Sequence, residues 1–182
     1  MGPRRRALRQ ATEAAHTALD SKLVPLASRL DYARYLLVIS AFRSVIEREI
    51  EHRFSQYPLQ PQMLLRDIEL DCDDLRLGRA QPNTDFELRN CREDYLGTFY
   101  VLEGSRLGAR VLYSQVQALG LCADFGARHL ARQAAEAPRW SAFLNELESA
   151  EDIDEEALVH AGSKVFDLVL SIAEAYIDAG KR

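Results

Sequence analysis

Four polar residues near the start of the chain have the types and spacing to do chemistry. In the segment LRQATEAAHTALD they stand at helical intervals: Arg9, Glu13, His16 and Asp20. In an α-helix this spacing places them on one stripe, where Asp20 can accept a hydrogen bond from His16. The other imidazole nitrogen is then free to bind a metal, and Arg9 can pair with an anionic group of the same ligand. The alternative is an exposed histidine among ordinary charged neighbours.

A second segment, YVLEGSRLGARVL, has helical periodicity but carries Gly104 and Gly108 four residues apart. Each glycine inside a helix costs about 1 kcal/mol relative to alanine, so the chain must gain something from them. Together with Gly97 they fall within roughly 40° of one another around the helix axis. Such a bare stripe allows either close packing of another helix or contact with a large flat ligand. By itself, the pattern favours helix packing.

The elements that must position these residues are helices, because helical periodicity runs through nearly the whole chain. No strand alternation or hairpin signal is present. We therefore expect an all-α fold of about six to eight helices joined by short loops. The helices are predicted at about 3–19, 31–56, 63–78 (as one or two), 84–119, 139–148 and from 154 onward.

Capping residues set the predicted ends of these helices. Asp31 is the expected N-cap of the second helix, and Gly78 the expected C-cap of the short helical segment after it. A turn is expected at QPN, and Thr84 with Glu87 forms a capping box for the long glycine-bearing helix. That helix should end near Leu119, with Gly120 following.

Length and charge restrict the class of protein. A chain of 182 residues with 47% apolar residues suits one globular domain, which we expect to span residues 1–182. Its net charge of −5 argues against a nucleic-acid-binding protein. No apolar stretch approaches the ~20 residues of a membrane span, and the arginine-rich start lacks the apolar core of a signal peptide.

The three cysteines indicate a reducing compartment. Cys72, Cys91 and Cys122 are odd in number and far apart, with no C-x-x-C pair. They read as free thiols rather than as a disulfide framework or a zinc site. We therefore expect a cytoplasmic protein.

Taken together, the two segments resemble the heme oxygenase family, and they are most similar to its short bacterial members found with bacteriophytochromes. The element A-T-x-x-x-H in the first segment is short, whereas YVLEGSxLG within a glycine-interrupted helix is far more specific. Their order along the chain matches the family, and the second helix, LDYARYLLVISAF, is also similar.

The resemblance implies a site in which heme lies between the first helix and the glycine-kinked long helix. His16 would be the proximal and only protein ligand of the iron, with Asp20 as its acidic partner. Gly104 and Gly108 would be the distal glycines that let the backbone lie against the porphyrin. Ser105, with backbone groups near Gly104, would help to hold distal water.

The resemblance also implies the reaction. Heme is both cofactor and substrate: it is reduced, binds O2, and is opened at a meso carbon to biliverdin, with release of carbon monoxide and ferrous iron. Nothing in the sequence resembles a nucleotide or flavin motif, so electrons must come from an external donor of the ferredoxin–reductase type. Biliverdin could supply a phytochrome, and iron recovery is an equally compatible use.

Some positions depart from the family pattern. Ala109 stands where a second glycine commonly follows the later distal glycine, and its methyl group is expected to narrow the pocket. A tyrosine that often contacts a heme propionate is replaced by Phe99, with Tyr100 next to it. In the helix predicted at 139–148, Arg139 is the only basic residue. The residues that would bind the propionates, apart from Arg9, are therefore left open. The biliverdin isomer is left open too.

Other residues are weaker candidates, and other functions stay open. His52 ends a helix, His129 lies in a polar stretch that reads as a loop, and His160 lies off the apolar stripe of the last helix. The acidic run DIELDCDD reads as a solvated face rather than a cation site. The alternative functions are a non-catalytic heme sensor or carrier on the same scaffold, and a related helical protein that binds no heme.

Overall fold

The computed structural model describes residues 1–78, 82, 84–135 and 138–179, and eight α-helices contain most of them. These ranges hold no β-strand, only isolated bridges from Cys122 to Phe125 and to Gly126. The prediction of an all-α fold with six to eight helices is therefore confirmed. The helices are α1 (Pro3–Leu23), α2 (Arg29–Arg53), α3 (Leu65–Asp74), α4 (Arg92–Gly104), α5 (Arg106–Ala118), α6 (Arg128–Ala135), α7 (Pro138–Ser149) and α8 (Glu155–Ala179).

The last helix, α8, lies at the centre of the fold. It packs against α1, α2 and α4, while α3 and α6 pack beside α2 and α5, and α7 covers α1 and α4. Fully buried leucines line these contacts, among them Leu8 of α1, Leu36 of α2 and Leu96 of α4. Asp154 starts α8 as predicted, since its carboxylate accepts hydrogen bonds from the backbone N–H groups of Glu156 and Ala157.

The contact between α4 and α8 depends on two glycines. A Cβ atom at Gly97 would lie 2.7 Å from the backbone nitrogen of Gly162 and 2.8 Å from Cβ of Ala161. A Cβ atom at Gly162 would in turn lie 2.8 Å from Cδ2 of Leu8 on α1. Three helices therefore meet here at a separation that side chains would prevent. Gly97 serves helix packing.

Two predicted caps are wrong because neighbouring residues occupy their positions. Ser28, not Asp31, is the N-cap of α2: its hydroxyl oxygen accepts from the Asp31 backbone N–H at 3.1 Å. At the end of α3, Arg76 rather than Gly78 takes the left-handed conformation, with φ 55°. The Leu77 N–H then bonds back to the Cys72 carbonyl, as in a Schellman motif.

The predicted capping box at Thr84 and Glu87 is also wrong, since α4 begins only at Arg92. The segment before it is not helical, and two of its backbone N–H groups donate to carboxylates. Leu88 N–H donates to Glu49 at 2.9 Å, and Arg89 N–H donates to Asp94 at 2.8 Å. Of the predicted QPN turn, residues 81 and 83 lie outside the described residues.

The long glycine-bearing helix is kinked, as predicted, and the break falls at Ser105 between α4 and α5. The Ser105 hydroxyl donates to the Leu102 carbonyl at 2.7 Å, a local bond that competes with the regular helix. Helix α5 ends before Leu119, and Gly120 follows with φ 78°, as expected for a C-terminal glycine. Among the described residues, no helix combines the length and apolarity needed to cross a membrane.

Candidate functional site

The α1 region comes close to the kinked pair α4–α5 at two places. Near the middle of α1, the Tyr100 hydroxyl of α4 lies beside the Thr12 side chain. Just beyond its end, the Leu26 N–H donates to Gln115 Oε1 of α5 at 2.9 Å. Between these contacts α1 packs on α8, whereas α5 packs on α6. We call the region between these two helical runs the cleft.

The histidine predicted as a metal ligand lies on α1 between these two contacts. His16 Nδ1 is 3.1 Å from Asp20 Oδ2, and the two side chains are 60% and 56% exposed. The imidazole ring lies 5.9 Å from the Phe166 ring of α8. An Nδ1–H that donates to Asp20 leaves Nε2 without a proton and able to bind a metal. The spacing argument thus placed this pair correctly.

Four residues of the kinked pair form an open stripe that nothing in the described structure covers well: Gly104, Leu107, Gly108 and Val111. A Cβ atom at Gly108 would meet no atom within 4 Å, and one at Gly104 would meet only Trp140, at 3.8 Å. Leu107 and Val111 are 63% and 61% exposed.

The open stripe faces α1. Its members are spaced three or four residues apart, so they share one side of the helix. Tyr100, four residues before the stripe, and Gln115, four residues after it, both contact the α1 region. Since the stripe lies between them on the same side, it borders the cleft together with His16.

Ala109 is a correction to the sequence analysis. Its side chain is fully buried, because each residue along a helix is turned by about 100° from the one before it. Its methyl group packs into the interior rather than on the open stripe. The expected narrowing of the pocket by Ala109 therefore does not arise.

Ser105 lies at the kink and is exposed. Besides donating to Leu102, its hydroxyl oxygen accepts a hydrogen bond from Gln133 Nε2 of α6 at 2.9 Å. The sequence analysis missed Gln133, and no motif marks it: it reads as one more polar residue of an amphipathic helix.

The end of the cleft near the start of α1 is positively charged. Burial raises the pKa of the Tyr100 hydroxyl, and the charges of Arg5 and Arg9 act in the opposite direction, so both arginines lie near it. The Arg5 guanidinium lies 5.5 Å from the Trp140 ring centre, over its face. Arg9 is exposed.

Phe99 and Arg139, the two positions at which the chain departs from the family's propionate contacts, both make contacts in the interior. Phe99 is buried and stacks on Phe143 with ring centres 4.9 Å apart. Arg139 donates to the Gln60 carbonyl and lies 3.5 Å from Glu103, a carboxylate that also binds Arg106 at 2.9 Å. The one basic residue of the late helix is thus engaged with the interior.

The remaining histidines are not on the cleft. His129 was predicted in a loop, but it lies in α6, is 1% exposed, and has Nδ1 2.7 Å from Asp71 Oδ2. Asp71 is itself fully buried, whereas Asp73 is exposed, so the acidic run is a solvated face only in part. His52 and His160 are exposed, on α2 and α8. Among the described residues, no three His, Cys, Asp or Glu side chains are grouped to hold a metal.

Comparison with known proteins assigns the family. No protein-family model matches the chain. The heme oxygenase PigA of Pseudomonas aeruginosa is 32% identical over 154 residues, which cover 80% of this chain and 77% of PigA. The crystal structures of NO- and CO-bound heme oxygenase from Neisseria meningitidis have the same fold, with a TM-score of 0.72 and 24% identity over 96% of this chain and 92% of that one. On this relationship, the chain belongs to the heme oxygenase family.

Proposed function

We propose that this chain is a heme oxygenase that binds heme in the cleft between α1 and α4–α5 and degrades it to biliverdin, carbon monoxide and ferrous iron. His16 Nε2 is the iron ligand. The observation that carries the proposal is the open stripe, which lies between two contacts to α1 and shares the cleft with the exposed His16–Asp20 pair.

The residues of the cleft fit a porphyrin. Two glycines allow a flat ring to approach the backbone, and Leu107 and Val111 offer exposed apolar surface beside them. Burial of such surface contributes about 25 cal/mol per Å² removed from water, which offsets the cost of glycine in a helix. At the charged end, Arg9 is placed to meet the propionates.

Each residue of the site then has a defined task, while heme supplies the redox chemistry once O2 and electrons arrive. Asp20 keeps the His16 imidazole in the tautomer that binds iron and fixes the plane of its ring. Gly104 and Gly108 leave space for the substrate on the distal side. Ser105, with the backbone near Gly104, holds a water that can pass on a proton. Ala109 packs into the interior on the buried side of α5.

Partners and surroundings follow from this chemistry. The electron donor is an external protein of the ferredoxin–reductase type, and a phytochrome is a candidate acceptor of biliverdin. Three free cysteines fit a reducing compartment, so we place the enzyme in the cytoplasm. Residues 1–182 act as one domain, in which the central α8 supports both walls of the cleft through α1 and α4.

A non-catalytic heme sensor or carrier is the alternative function on this scaffold. Its support in the sequence was the departure at Ala109 and the shortage of basic residues for the propionates. The first reason no longer holds, because the Ala109 methyl group is buried away from the open stripe. The alternative predicts a stable heme complex that yields no biliverdin.

The test is a hemin titration followed by turnover in the same cuvette. Wild type should give a saturable one-to-one Soret band, which then decays as a biliverdin band grows when reductant is added in air. His16→Ala should lose or shift the Soret band, whereas His160→Ala, at an exposed histidine of α8, should match wild type. A stable complex without biliverdin would favour the carrier. A Soret band unchanged in His16→Ala would contradict the ligand assignment.

A further inference from the structure

The hydroxyl group of Ser105 has its direction fixed by two protein partners. It donates to the Leu102 carbonyl at 2.7 Å and accepts from Gln133 Nε2 at 2.9 Å. A serine hydroxyl has one proton and two lone pairs. Its proton is therefore committed to Leu102, and one lone pair remains able to accept a further hydrogen bond.

Gln133 is held firmly in place. It is 7% exposed and lies in the last turn of α6. The backbone carbonyl of Gln133 accepts a hydrogen bond from the Arg106 side chain of α5 at 3.4 Å. The backbone carbonyl of Ala134 accepts one from the Arg110 side chain. Cations at the C-terminal end of a helix are favourable. The C-terminal end of α6 therefore packs against the start of α5 through its backbone carbonyl groups.

We propose that Gln133 is a positioning residue for the distal side of the site: it keeps Ser105 a hydrogen-bond acceptor toward the cleft. A water at the kink then donates one hydrogen to Ser105 and keeps its other hydrogen for the substrate side. Without the Gln133 amide only the bond to Leu102 holds the hydroxyl, which can then exchange that bond for one in which it offers its proton toward the cleft. This inference rests on the proposed function, because it takes heme to lie against the open stripe.

The experiment compares Gln133→Met with Ser105→Ala and with the double variant. Methionine keeps helix propensity and size but removes the amide. The matched control is Gln62→Met, since Gln62 is 6% exposed and its side-chain amide has no hydrogen-bond partner in the described residues. One measurement is amide exchange of residues 102–108 without heme. The other is the pH midpoint of the spectral transition of the ferric hemin complex.

Gln133→Met should raise exchange around Ser105 severalfold and move the spectral midpoint to lower pH by about 0.5 unit, the size expected for one hydrogen bond. The midpoint should move to lower pH because a rotated Ser105 hydroxyl can donate a hydrogen bond to an anionic oxygen. Such a bond favours the deprotonated form of the complex. In the Ser105→Ala background the same change should have no further effect, and Gln62→Met should match wild type.

Two results would overturn the inference. Either the effect of Gln133→Met persists undiminished in Ser105→Ala, or Gln62→Met reproduces it. In both cases Gln133 would act through packing rather than through Ser105. Absence of saturable hemin binding in every form would instead overturn the proposed function, and this inference with it. The exchange rates of the heme-free proteins would then still report whether the Gln133–Ser105 bond orders the kink.

Discussion

Glycines of one predicted stripe have opposite surroundings at the scale of single residues. Gly97 is enclosed by α8, where an added Cβ would lie 2.7 Å from a backbone nitrogen. Gly108 faces open space, with nothing within 4 Å. The two explanations that the sequence left open, helix packing and contact with a flat ligand, therefore each apply to a different part of the stripe. Only the second part belongs to the candidate site.

Gly108→Ala should make the heme-free protein more stable and the enzyme slower. Alanine is favoured over glycine inside a helix by about 1 kcal/mol, and the added methyl group has room. The same methyl group would stand where the porphyrin is proposed to lie. Urea unfolding without heme and the rate of biliverdin formation test the two halves of this prediction.

The control for Gly108→Ala is Gly97→Ala, which should destabilise the fold by about 1–3 kcal/mol through overpacking against α8. A Gly108→Ala protein that is more stable and equally active would show that the open stripe is not part of the site.

At the scale of elements, buried carboxylates order the starts of two helices, α4 and α6. The Cys91 side chain makes no capping bond to α4, yet Asp94 in its first turn holds the preceding segment through the backbone N–H and guanidinium of Arg89. At α6, the buried Asp71 accepts from the backbone N–H groups of Arg128 and His129. Such acceptors stabilise the positive end of a helix.

Asp94→Asn should destabilise the protein at neutral pH but not at acid pH. Burial raises the pKa of this carboxyl, but its hydrogen bonds and ion pair with Arg89 outweigh that effect and hold the pKa below its usual value. A folded-state pKa below the unfolded value of about 3.9 means that the stabilisation is present above that pH. It disappears as pH falls through the folded-state pKa.

The measurement is the urea midpoint of wild type and Asp94→Asn at pH 7 and near pH 3. The loss at pH 7 should be about 1.5–3 kcal/mol, typical of a hydrogen bond to a charged group, and the difference between the two proteins should shrink as the pH falls. Glu151→Gln, at an exposed carboxylate, is the control. A difference that is the same at both pH values would show that the charge of Asp94 contributes nothing.

At the scale of the whole molecule, both walls of the cleft rest on one helix. Helix α8 packs against α1 and α4, and its Phe166 ring lies beside His16. The walls contact each other mainly near the ends of the cleft, through Tyr100 and Gln115. Heme would add the contact in the middle. The part of α1 around His16 and the open stripe should therefore be the least protected in the heme-free protein.

Amide exchange with and without hemin tests this expectation. Residues 12–20 and 104–112 should gain protection when hemin binds, because the ligand connects the two walls. The buried part of α8 around Val165 and Val169 should exchange slowly in both states. Equal protection around His16 with and without hemin would contradict the proposed position of the heme.

The helical class, the kinked helix and the pairing of His16 with Asp20 could all be predicted from the sequence. Each of these depends on residues close together in the chain, whose relation is set by the 3.6-residue turn. The family resemblance came from the same short segments. Two helix boundaries were also predicted correctly, the start of the last helix near Asp154 and the end of α5 before Gly120.

Tertiary structure decided what the sequence left open. The packing of Gly97 against α8, the burial of Ala109 and the hydrogen bond from Gln133 to Ser105 all involve residues distant in sequence or a helix face set by its neighbours. The non-helical segment before α4 and the buried Asp71 likewise depend on partners on other elements. Helical periodicity fixes which residues share a face, but only packing fixes which faces are covered and which one stays open for a ligand.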